Sequence, residues 1–322
     1  MRLTGIVVVA LLLIVLAVAA WAVSRRRSGE RPAGEARAQP ARLEVSVRTL
    51  VESFGPRDEG HPENLDRAAT WIRGELERAG GKVSDQPFQI GGATYRNVSA
   101  FFGPDTRDRI VVGAHYDTAG PLPGADDNAS GVAGVLELAR LLGSSPLKRR
   151  VELVAYPLEE PPYFASAQMG SAFHARALKE QGVQVRSMIC LEMIGYFSDA
   201  PDSQEFPVSA LRLTYPTRGN FILIVGRLGQ GGVVRRVRNR MQRAAAPLDV
   251  RSLVAPASIP GVDFSDHRNY WNEGWDAVMI TDSAFYRNPN YHDERDTPDT
   301  LDYQRMARVV DGVLAAVVAE AG

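Results

Sequence analysis

The chain has 322 residues, 45% hydrophobic and 23% charged, which is a globular composition and excludes a disordered or fibrous one. Its 37 basic and 38 acidic residues nearly cancel to a net charge of -1, which argues against a dedicated nucleic-acid binder. The single cysteine, Cys190, excludes an intrachain disulfide and any zinc site built on cysteines. At the N-terminus, Ile6 to Val23 form an unbroken apolar run. As a helix it would span roughly 27 Å at ~1.5 Å per residue, about the hydrocarbon thickness of a bilayer. An uncleaved membrane anchor over residues 1–24 is favoured, because the run is long for a signal peptide. The competing reading takes Ala20-Trp21-Ala22 as a cleavage site. A single-pass protein with an extracytoplasmic globular domain is expected, although Arg25, Arg26 and Arg27 pull the charge rule the other way. Residues 25–41 carry charge, Gly and Pro without an apolar period and read as a flexible linker.

Residues 42–322 form one domain of ample size for a core. Val45 to Phe54 and Asn64 to Ala79 have helical periods, the second ending at Gly80-Gly81. Lys82 to Ile90 and Tyr95 to Phe102 read as strands joined by a hairpin turn at Gly91-Gly92. Buried strands follow at Arg109 to Ala114, Val151 to Tyr156, Val185 to Met193, Phe221 to Val225 and Ala277 to Thr281. Helices are expected at Ser130 to Leu142, Gly170 to Gln181, Val233 to Ala245 and Asp302 to Val318. The alternation predicts an α/β fold with a mixed, mainly parallel central sheet and helices on both faces. Such sheets place their sites beyond the carboxyl ends of the strands.

Four strand ends carry carboxylates and imidazoles. His115-Tyr116-Asp117 follows the first buried strand, Glu159-Glu160 the second, Glu192 lies within the end of the third, and Tyr291-His292 lies beyond the last. The loop after the first strand holds Asp126-Asp127-Asn128. Histidine in the set suits Zn²⁺ better than Ca²⁺ or Mg²⁺. Glu192 interrupts an apolar strand, where an unpartnered carboxylate is expensive. Any one of these residues alone reads as structural; their joint occurrence carries the inference.

Taken in order, His115-Tyr116-Asp117, Gly124 to Gly131 (GADDNASG), Glu159-Glu160, Leu191 to Tyr196 (LEMIGY), Tyr291-His292 and Asp296 to Asp302 (DTPDTLD) closely resemble metallopeptidase family 28. These are the dinuclear zinc aminopeptidases, whose relatives include glutamate carboxypeptidases and glutaminyl cyclases. The resemblance runs from about Val45 to the C-terminus and implies the zinc-exopeptidase, phosphorylase/hydrolase-like fold. It implies two Zn²⁺ ions, one on His115 and Glu192, the other on Glu160 and His292, bridged by Asp127. Asp117 would orient His115, and Glu159 would be the general base and later the acid. Tyr291 would donate to the oxyanion. The expected activity is hydrolysis of a peptide substrate by a metal-activated water, most simply as an aminopeptidase.

Two departures stand out. Glu192 occupies a position where Asp is commoner, and Pro161 to Met169 intervene between Glu160 and Gly170-Ser171, beside the expected substrate pocket. Ser265-Asp266-His267 also matches a family segment, with a structural role for His267 weighed above substrate contact. Gly229-Gln230-Gly231 fails as a dinucleotide loop because Val234 takes the third glycine position. The basic run from Arg235 to Arg243 reads as the solvated face of a helix. Two rivals remain: a glutaminyl cyclase-like mononuclear zinc acyltransferase, disfavoured by retention of all five ligand candidates, and a non-catalytic receptor-like ectodomain, disfavoured by Glu159. The sequence gives no oligomeric state.

Overall fold

The computed structural model describes residues 37–322. Helix α1 (Pro40–Arg48) runs on through a widened turn to Ser53, and α2 (Pro62–Arg78) follows. Proline opens both helices, where a missing N–H costs nothing. In α2, Leu65, Ala68, Ala69, Ile72 and Leu76 make one buried stripe, and Arg78 stands in the last turn beside the carbonyl end of the dipole. Strands β1 (Lys82–Ile90) and β2 (Ala93–Phe102) pair antiparallel. Gly91 and Gly92 between them have φ of 58° and 85°, the left-handed pair that a two-residue hairpin needs.

The remaining elements are β3 (Asp108–His115), α3 (Gly131–Leu142), β4 (Arg150–Tyr156), α4 (Gly170–Glu180), β5 (Gln184–Glu192), β6 (Phe221–Arg227), α5 (Gly231–Ala244), β7 (Asp249–Ala255), α6 (His267–Asn272), β8 (Ala277–Thr281) and α7 (Tyr303–Ala321). The eight strands form one sheet in the order β1-β2-β4-β3-β5-β8-β6-β7. Its centre, β4-β3-β5-β8, is parallel, while β2 joins β4 and β6 joins β8 antiparallel. The sheet is therefore mixed with a parallel core, as the sequence predicts. Alternation along β3 sends Ile110, Val112 and Ala114 to the face packed by α1, α2, α3, α5 and α7, and Val111 to the face packed by α4 and α6. Because the central strands are parallel and in register, His115 lies beside Tyr156, and Glu192 beside Thr281. One edge of the sheet thus collects the residues that end each strand.

Strand β7 and helix α6 were not anticipated. β7 is an edge strand in which Asp249, Arg251 and Ser252 break up the apolar residues, and the six residues of α6 are too few to show a helical period. On α5, Val233, Val234, Val237 and Met241 are buried and Arg235, Arg236, Arg240 and Arg243 exposed, as expected of a solvated basic face.

Among the described residues no helix is long and apolar enough to cross a membrane. The expected anchor at 1–24 and the linker up to residue 36 lie outside the described residues. The packed domain starts earlier than the expected boundary at residue 42. Ala38 is buried, the Asp311 carboxylate accepts the backbone N–H groups of Arg37 and Ala38, and Glu137 Oε1 accepts that of Gln39 at 2.8 Å. Such anchoring by backbone amides leaves no periodic signal in the sequence. A chain beginning at Arg42 strips these donors from two buried carboxylates, each bond worth about 1.5–3 kcal/mol. Its Tm is expected to fall by about 5–10 °C against a chain beginning at residue 34, measured by thermal unfolding. Equal Tm values would make residues 37–41 dispensable.

Candidate metal centre

The strand ends bring the expected residues together. His115, last in β3, directs Nε2 to Asp127 Oδ1 at 3.4 Å and to Glu192 Oε2 at 3.3 Å. Its Nδ1 faces the Asp117 backbone carbonyl at 3.3 Å and side chain at 3.4 Å. Asp117 thus orients the ring and leaves Nε2 for the cluster. The same carboxylate accepts the backbone N–H of Glu159 at 3.2 Å and of Glu160 at 3.0 Å. That second task of Asp117 was missed from sequence, where nothing links the two segments. His292 Nε2 lies 3.1 Å from Asp127 Oδ2 and 3.3 Å from Glu160 Oε2. Each Asp127 oxygen therefore faces a different imidazole.

Among the described residues, three groups have donor atoms within 4.8 Å of one another: His115 with Asp127 and Glu192, Asp127 with Glu160 and His292, and His115 with Glu159 and Glu160. The first two coincide with the pairs that the resemblance implies. In the third, Glu159 Oε2 stands 3.9 Å from His115 Nε2.

Local backbone presents these side chains. Leu158, Met193 and His292 have positive φ (62°, 48° and 53°) at the ends of the segments that carry Glu159, Glu192 and His292. Left-handed non-glycine backbone is costly and gathers at functional sites. Gly124 opens the Asp127 loop with φ 57°, and a Cβ there would meet Asp127 O at 2.3 Å. Asp296 accepts the N–H groups of Asp126 and Asp127 at 3.0 and 3.1 Å. Asn128 and Ser265 both donate to Glu192 Oε2, at 3.3 and 2.6 Å. Sequence reasoning flagged neither as a partner of Glu192.

The donor set fits a metal on its own chemistry. Asp117, Asp127, Glu159, Glu160 and Glu192 are all buried together, opposed by two imidazoles. Clustered buried carboxylates are expensive without cations. Burial pushes the Glu160 carboxyl up to about 8, with Asp127 adding to it and His292 opposing. Burial likewise raises Glu159 well above the usual carboxylate range, against the opposing charge of His115. Two polar atoms of the cluster, His115 Nε2 and Glu160 Oε1, have no hydrogen-bond partner among the described residues. A borderline cation satisfies both, and nitrogen with oxygen donors, buried except for the exposed His292, suits zinc.

An apolar cleft opens onto the cluster through Glu192 and Tyr291. Phe206, Leu211, Tyr215, Leu223, Leu253 and Met279 are among its walls. Tyr291 stacks on His292 with ring centroids 3.8 Å apart, and burial with Asp127 and Glu160 nearby holds its phenol protonated. The stretch from Pro161 to Met169 reaches the cleft through Phe164, edge-on to the lining residue Phe264 at 5.5 Å. His267 is buried, with Nε2 donating to the Val262 carbonyl at 2.9 Å, and burial lowers its pKa to about 4. It does not line the cleft. Arg287 is buried, with Nε donating to Gln204 Oε1 and Nη1 to the Phe221 carbonyl while Nη2 has no hydrogen-bond partner among the described residues, and Arg295 pairs with Asp293 at the surface. No basic side chain lines the cleft among the described residues.

Residues 97–317 match the profile described as Peptidase family M28. The chain is 47% identical over 291 residues to protein YfbL of Escherichia coli (strain K12), covering 88% of this chain and 89% of the relative. The chain belongs to peptidase family M28. A probable leucine aminopeptidase of Arthroderma otae is 26% identical over 266 residues, 74% of this M28 chain and 61% of that protein. The solved zinc aminopeptidase BSAP of Bacillus subtilis shares the fold, with TM-score 0.72 and 16% identity over 89% of this chain and 96% of its own. A glutaminyl cyclase of Fimbriiglobus ruber shares it too, with TM-score 0.69 and 20% identity over 90% and 99%.

Proposed function

We propose that the protein is a dinuclear zinc aminopeptidase that releases an unblocked, apolar N-terminal residue from a peptide. The observation that carries this reading is the apolar cleft that opens directly on the carboxylate-rich cluster and has no basic side chain among its lining residues. His115 and Glu192 would hold one ion, Glu160 and His292 the other, and Asp127 both. When bound, the metal supplies Lewis-acid polarisation of the attacking water and the scissile carbonyl. Glu159 accepts the water's proton and returns it to the leaving amine. The Tyr291 phenol, kept protonated, donates to the developing oxyanion. The cleft excludes water around the side chain of the N-terminal residue. Neighbouring carboxylates favour a free α-ammonium, whereas a C-terminal carboxylate needs a cation, and neither Arg287 nor Arg295 lines the cleft. The apolar run from Ile6 to Val23 supports attachment to a membrane, and full-length protein is expected to sediment with membranes.

The test compares dipeptides that begin with Leu or Phe, their N-acetylated forms, the Lys and Glu counterparts, a substrate with C-terminal glutamate, and a peptide beginning with Gln. Acetylation and a charged first residue are each expected to lower kcat/KM at least tenfold, about 1.4 kcal/mol of transition-state binding. Preference for the C-terminally acidic substrate moves the protein to the carboxypeptidase branch. Cyclisation of the Gln peptide without hydrolysis of the others makes it a cyclase.

A further inference from the structure

Arg57 is fully buried, yet among the described residues it forms no ion pair at contact distance and gives its donors to backbone carbonyls. Nε donates to Tyr116 O at 2.9 Å, Nη1 to Leu50 O at 2.9 Å and Pro123 O at 3.2 Å, and Nη2 to Gly124 O at 3.0 Å. These carbonyls belong to the residue after His115, the end of the first helical segment, and the two residues that open the Asp127 loop. The Arg57 carbonyl in turn accepts the Thr118 N–H at 3.1 Å. On the far side of the same loop, Asp296 holds the N–H groups of Asp126 and Asp127. The loop is thus gripped at its carbonyls by a guanidinium and at its amides by a carboxyl group. The charge of Arg57 also acts on Asp117, Asp127 and Asp296.

We propose that Arg57 is a positioning residue of the metal centre: it fixes the loop bearing Asp127 against the strand end bearing His115, so that both ligands stand in register before metal arrives. The planar fork matters. Lysine offers three donors from one point and cannot span four carbonyls in three segments. The inference rests on the metal-centre reading above.

Arg109 supplies the comparison. It is buried to a similar degree and pairs with Glu152 at 2.7 Å, but it lies at the opposite end of β3 from His115. Purified full-length wild-type protein, Arg57→Lys and Arg109→Met are stripped of metal, and zinc is titrated back against a chelator well below each Tm. Arg57→Lys is expected to bind zinc about 10–100-fold more weakly, the usual range for groups that orient ligands. Arg109→Met is expected to lose Tm while keeping wild-type zinc affinity. Wild-type affinity in Arg57→Lys, or equal loss of affinity in both variants, overturns the proposal. Absence of zinc binding by the wild type instead overturns the metal-centre reading. If Arg57→Lys does not fold, hydrogen exchange on metal-free wild-type protein decides. A loop held by Arg57 protects the amides of Asp126, Asp127 and Ala129 as strongly as those of β3 without zinc. Rapid exchange at those three amides means that the metal orders the loop, and the proposal fails.

Discussion

Asp127→Ala is expected to remove both zinc ions and with them the activity. One carboxylate oxygen faces the His115 imidazole and the other the His292 imidazole, so no other single side chain belongs to both expected pairs. Removing one member of a buried charge set costs about 3–5 kcal/mol, or roughly 10²–10⁴-fold in affinity for each ion. His292→Ala takes a ligand from one pair alone. After dialysis, elemental analysis should find close to zero zinc in Asp127→Ala and about one ion per chain in His292→Ala, by the count of ligands left to each position. Asp127→Ala with full zinc and full turnover would falsify the bridge.

The site was legible because its residues end strands. The run from Arg109 to Ala114 stops at His115, and Glu192 breaks an apolar strand, so each polar residue stands out against the hydrophobic background that identifies its element. The parallel core then does the rest, since register alone brings β3, β4, β5 and β8 to one edge. What stayed hidden lacks such contrast. Arg57 lies among Pro56, Asp58 and Glu59, where a charged residue reads as surface, and its partners are carbonyls that no pattern marks. Asn128 reads only as one more polar residue of the loop after the first buried strand, yet its amide donates to Glu192 and its oxygen accepts the Met193 and Gly131 N–H groups. The cleft wall from Gln204 to Tyr215 has neither period and makes only a short turn of helix, so its apolar side chains had no assigned face. Residues 37–39 join the domain through backbone amides, which composition does not record. Sequence contrast exposes side chains that are unusual for their element. It does not expose ordinary residues whose work is to hold a backbone.

Glu159→Gln and Glu160→Gln should part company, although the residues are neighbours, equally buried and held by the same Asp117 carboxylate. Glu160 Oε2 lies 3.3 Å from His292 Nε2, while Glu159 Oε2 approaches His115 Nε2 only to 3.9 Å. The difference suits a ligand in the first case and a base beside the metal in the second. Glutamine preserves the size of either side chain and removes its charge and its capacity to take a proton. In Glu159→Gln, zinc content should stay at the wild-type level while kcat falls roughly 10²–10⁴-fold, the weight of a general base. KM should move little, because in the proposed reading the substrate side chain occupies the cleft, whose lining does not include this carboxylate. In Glu160→Gln, zinc content itself should fall, and added zinc should recover part of the turnover. Burial already raises the proton affinity of Glu159 against the opposing charge of His115, which suits a group that must hold a proton between attack and departure of the amine. If Glu159→Gln instead loses zinc and Glu160→Gln keeps it, Glu159, whose carboxylate also stands within reach of His115, is the ligand and Glu160 is not. The roles of the two glutamates are then exchanged.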